Sequence, residues 1–70
     1  MYKVNCKCFA HEVDGDTFTE ELTVYPEKND KDEVFELLTE IYDSFNKTRR
    51  PIEKIRVLDR FEILDAEPYK

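Results

Sequence analysis

Residues 29–46 read NDKDEVFELLTEIYDSFN, and their spacing decides how the rest of the chain must be arranged. At 100° per residue, Val34, Phe35, Leu37, Leu38, Ile41, Tyr42 and Phe45 fall on one broad apolar face. Glu33, Glu36, Glu40 and Asp43 recur at spacings of three, four and three on the other side. The apolar side must cover something apolar, and the acidic side meets water or a partner. This is the one long stretch with a helical period, so a single helix is expected.

Its ends carry their own signals. Asp30 is placed to cap the first turn, with Asn29 as a rival, and Glu33 stands three residues on as a capping-box partner. Asp32 and Glu33 suit the positive end of the helix, and Lys47, Arg49 and Arg50 suit the negative end. Pro51 stops the helix from running on.

Upstream, Tyr2 to Val13 alternates. Tyr2, Val4, Cys6, Cys8 and Ala10 share one side, which predicts a strand with that row facing the core. Asp14-Gly15-Asp16-Thr17 holds the chain's one glycine and reads as a hairpin connection. Phe18, Leu22 and Val24 then share a face that Glu20 interrupts, which a bulge or an edge position would accommodate. Downstream, Ile55, Val57, Phe61 and Ile63 keep the two-residue period around Asp59. That pattern leaves two choices, one long bulged strand or a turn at Asp59-Arg60 into a short fourth strand.

These elements predict a small α+β domain of β-β-α-β order, a three-stranded sheet with one helix packed on one face. A third strand beside the first, in spatial order 2-1-3, makes the first strand central and suits its apolar row. Pairing beyond the second strand is the alternative. Residues 1–65 are expected to form one domain and residues 66–70 a polar tail. The expected core is Val4, Cys6, Cys8, Leu22, Val24, Val34, Leu38, Ile41, Phe45, Ile55 and Val57.

Seventy residues, 40% of them charged, leave room for one modest core. No apolar run approaches a membrane span, and the first residues lack the apolar stretch of a signal peptide. A Cys-x-Cys pair is no secreted disulfide framework, so a cytoplasmic or otherwise intracellular protein is expected.

Chemistry-bearing residues are few. Cys6 and Cys8 lie about 7 Å apart on one strand face, and His11, the single histidine, points away from them, so neither a metal centre nor another cofactor is expected. His11, Glu12 and Asp14 read as a solvated strand end, and enzymatic activity is not expected.

Charge says more. Residues 12–43 carry twelve acids and two bases, a local charge of -10 within a chain of net charge -6. Such a field repels phosphate and attracts a basic protein surface. The leading expectation is therefore a small acidic regulator or inhibitor. It would bind a basic partner through Glu33, Glu36, Glu40 and Asp43, in one version by mimicking nucleic acid. The alternatives are a homo-oligomeric adaptor, and a nucleic-acid- or anion-binding domain using Lys47, Arg49, Arg50, Lys54 and Arg56. Because one helix covers one face of the sheet, a homodimer through Phe9, Val13, Tyr25 and Leu58, or through the edge of the second strand, is also expected.

Overall fold

The computed structural model describes residues 1–69 and contains β1 (Tyr2–Glu12), β2 (Thr17–Val24), α1 (Lys31–Thr48) and β3 (Arg56–Pro68). The sheet order is β2-β1-β3, with β1 antiparallel to both neighbours. β2 and β3 are therefore parallel to each other, and α1 bridges them across the central strand.

The first strand is central because its inner row is apolar throughout. Val4, Cys6, Cys8 and Ala10 are buried, and Val24 joins them from β2. The helix supplies Val34, Leu38 and Tyr42, one residue per turn. Phe18, Leu22, Leu37, Leu58, Phe61 and Ile63 pack around this centre. Fully burying an aliphatic side chain is worth about 1.5–3 kcal/mol, so a core this small depends on each member.

Asp30 caps α1 with an extended backbone, and its carboxylate accepts the Asp32 N–H at 3.3 Å. The capping box does not close. The Glu33 carboxylate instead accepts the backbone N–H of Glu27 and holds the loop that enters the helix. At the other end, the Asn46 amide both accepts from and donates to the backbone of Arg56, at 2.9 Å each way. That pair fixes where β3 begins.

In the hairpin, Asp14 rather than Gly15 takes the left-handed conformation, with φ of 59°. A Cβ at Gly15 would stand 3.0 Å from Glu12 Cβ and 3.2 Å from Lys54 Cδ, so a larger residue there would have to push these side chains aside by a few tenths of an ångström.

Of the two choices for the third strand the structure takes the single bulged one, and it corrects which of its residues face inward. β3 is one continuous strand with two register shifts, opposite Asn5/Cys6 and Phe9/Ala10, and no fourth strand forms among the described residues. Each shift inserts one residue, Leu64 and Asp59, and reverses the alternation. Leu58 therefore faces the helix, paired with Ala10, while Val57 pairs with His11 on the outer face and is 39% exposed. Ile55 precedes the strand and is exposed too. Ile41, expected in the core, is instead 39% exposed and lines a groove between α1 and β2.

The expected tail is corrected as well. Ala66, Glu67 and Pro68 pair with Val4, Lys3 and Tyr2, so β3 runs past residue 65. Lys70 lies outside the described residues.

Candidate functional site

Glu36, Glu40 and Asp43 project from the side of α1 opposite Leu38 and are exposed. None of the three forms an ion pair among the described residues. Glu33 differs. It is half-buried and engaged with Glu27, which makes it a structural member of the row. Asp30 and Asp32 add negative charge at the helix entrance.

The basic cluster is dispersed into local contacts. Arg50 pairs with Glu53 at 3.1 Å, and the Arg50 N–H groups hold the Glu53 carboxyl below its ordinary range. Lys54 donates to the Asp14 carbonyl at 2.6 Å. Arg56 lies over the rings of Phe45 and Phe18, at 4.1 and 5.2 Å. Arg49 caps the helix and is half-buried, which leaves Lys47 as the exposed cation of the last turn.

The four residues expected on a dimer face are not brought together. Leu58 is on the helix side, which corrects its assignment. Phe9 is central on the outer face, but Arg60 and Lys7 cover its ring at 3.6 and 5.3 Å. Val13 sits at the hairpin, and Tyr25 packs against Tyr69 in a tilted pair, ring centroids 4.8 Å apart, at the far end of the sheet. Between them, a chain of hydrogen bonds crosses all three strands from Thr23 to Asn5 to Asp65. His11 contacts Asp59 at 2.8 Å on this same open face.

Cys6 and Cys8 are both free thiols with no exposure. Burial pushes both up, and with Cys6 and Glu20 nearby the Cys8 thiol reaches about 11. A thiol held neutral in this way is a small apolar side chain, inert as a nucleophile.

Sequence reading missed two features beside the acidic row. Tyr42 donates its hydroxyl to Glu20 at 2.6 Å, so the acid that breaks the pattern of β2 anchors the edge strand to the helix. Burial, then the bond to Glu20, raise the Tyr42 hydroxyl strongly. Next to this link, α1 and β2 frame an apolar groove of about 530 Å³ that includes Leu37, Ile41 and Val24. The signal for the link was a tyrosine on the apolar helix face together with an unpaired acid on an inward strand position.

Comparison of the chain with models of protein families, with curated proteins and with solved structures finds no match. No helix among the described residues is long and apolar enough to cross a membrane.

Proposed function

We propose that this chain is a small acidic protein-binding domain, a regulator or inhibitor, whose helix presents Glu36, Glu40 and Asp43 to a basic surface on a larger partner. The observation that carries this reading is the division of labour along α1. Val34, Leu38 and Tyr42 are consumed by the core, while the three acids stand exposed and outside any ion pair among the described residues. Carboxylates already neutralised by neighbours would give a weaker field. The three are among the twelve acids that give residues 12–43 a local charge of -10.

Such a field acts first on encounter. Long-range attraction raises the association rate and is screened within about 8–10 Å at physiological salt. Mimicry of nucleic acid is a special case, in which the partner's basic surface is one that otherwise holds phosphates. The basic cluster is a weaker candidate, because Arg50, Lys54 and Arg56 have their charged heads engaged within the chain.

The test is comparative capture from the native cell, using wild type, E36Q/E40Q/D43N and R49A/R50A as baits. A stoichiometric partner held by wild type and R49A/R50A but lost by the three-site variant supports the reading. A partner kept by the three-site variant and lost by R49A/R50A overturns it.

A further inference from the structure

Along the seam between α1 and β2, an open strand edge and an apolar groove lie side by side. Glu12 N–H donates to the Asp16 carbonyl at 3.1 Å, and Tyr2 N–H donates to the Pro26 carbonyl at 2.9 Å. With the register between them unbroken, antiparallel geometry sends the backbone groups of Phe18, Glu20, Leu22 and Val24 toward β1. Those of Thr17, Thr19, Glu21 and Thr23 therefore point outward, and no described strand lies beyond them.

The two edges of the sheet are not equivalent. β3 carries two register shifts, a common protection against added strands, whereas β2 has none in its eight residues. The groove runs beside the unprotected edge, past Val24, Leu37 and Ile41, and a smaller one continues it at Leu22 and Phe45. An extended segment bonded to the outward backbone of β2 would set every second side chain over this apolar strip.

Charge selects the occupant. If a second copy of β2 added there antiparallel about a central twofold axis, Glu20 or Glu21 would oppose its own counterpart. Like charges directly across a ladder are destabilising. A segment carrying Lys or Arg meets the opposite situation, since the residues alternating with the groove-facing ones point to the outer side of the strand, where Glu21 is exposed within a region of local charge -10.

We infer that the β2 edge takes one extended segment of a partner protein as a fourth strand, with apolar residues facing the groove and Lys or Arg alternating between them. The basic character of that segment rests on the proposed attraction of residues 12–43 for a basic partner; the backbone pairing does not.

A short synthetic peptide of alternating valine and lysine is the probe, added to the full chain and followed by NMR. Slowed amide exchange at Thr19, Glu21 and Thr23 is expected, with cross-strand contacts to β2. N-methylation of the peptide nitrogens that face β2 is expected to weaken binding by about tenfold or more, as is Thr19→Pro, which removes an outward N–H and no bond to β1. Should the proline variant fail to fold, the N-methylated peptide decides the matter on the wild-type chain.

Absence of binding overturns the inference, as do contacts between the β2 strands of two copies. Binding indifferent to N-methylation but lost in E36Q/E40Q/D43N also overturns it, while leaving the acidic face as the site. Binding that needs the peptide N–H groups and is unchanged in the three-site variant supports the edge.

Discussion

The hydroxyl of Tyr42 donates to the carboxylate of Glu20 at 2.6 Å, joining the buried face of α1 to the outermost strand of the sheet. Tyr42 is 4% exposed, and its ring remains packed if the hydroxyl is removed. Tyr42→Phe is expected to cost about 1–3 kcal/mol, since it leaves a half-buried carboxylate without its donor. A Tyr42→Phe/Glu20→Leu pair is expected to recover part of that loss. Urea denaturation of the two single variants and the pair measures the coupling directly.

Asn46 is a second clamp. Its amide satisfies both the N–H and the C=O of Arg56 at 2.9 Å, where the chain turns from the helix loop into β3. Asn46→Ala is expected to cost about 1–3 kcal/mol by stranding two part-buried backbone groups. Asn46→Asp keeps the acceptor and loses the donor, so an intermediate loss is expected. Denaturation midpoints at constant slope provide the measurement.

The third test concerns the phase of β3. Leu58 packs on the core and Val57 faces outward. Leu58→Ala is therefore expected to destabilise by about 2 kcal/mol and Val57→Ala by less than about 1 kcal/mol. The reverse ranking would place Val57 in the core and remove the bulge at Asp59.

That phase is also where sequence reading stopped short. The sheet order was legible because Val4, Cys6, Cys8 and Ala10 form an unbroken inner row, and such a row belongs at the centre. The helix was legible because Val34, Leu38 and Tyr42 fall on one side and Glu36, Glu40 and Asp43 on the other. A fixed period of two fails where a strand gains a residue. Asp59 and Leu64 are such insertions, so Ile55 and Val57 were assigned inward and Leu58 outward. Asp59 stood as an interruption in the sequence, which was the trace of the bulge. The residues of the acidic row were legible too, but not Glu33's bond to Glu27, because a side-chain contact back into a loop leaves no periodic signal. Nor did Ala66 to Pro68 show as strand, since their pairing depends on the length of β1 rather than on their own hydrophobicity.

Alkaline pH offers a separate check on the core. Burial, aided by Cys6 and Glu20, raises the Cys8 thiol to about 11, so the folded state favours the neutral thiol. The associated stability is complete below the unfolded thiol pKa of about 8.5 and is lost as pH rises through about 11. Tyr42, raised by burial and by Glu20, adds a loss of the same sign at higher pH. Urea midpoints are expected to fall across this window in wild type and to fall less steeply in Cys8→Ala. Equal slopes would show that Cys8 is solvated.

The central claim is that Glu36, Glu40 and Asp43 draw in a basic partner. The most direct measurement is the association rate of the captured partner with wild type and with E36Q/E40Q/D43N, each at low and at physiological salt. Wild type is expected to associate faster at low salt and to slow steeply as salt is added. The three-site variant is expected to start slower and to show a shallower salt dependence, with its stability to urea unchanged. Identical rates and identical salt dependence in the two folded proteins would contradict the account.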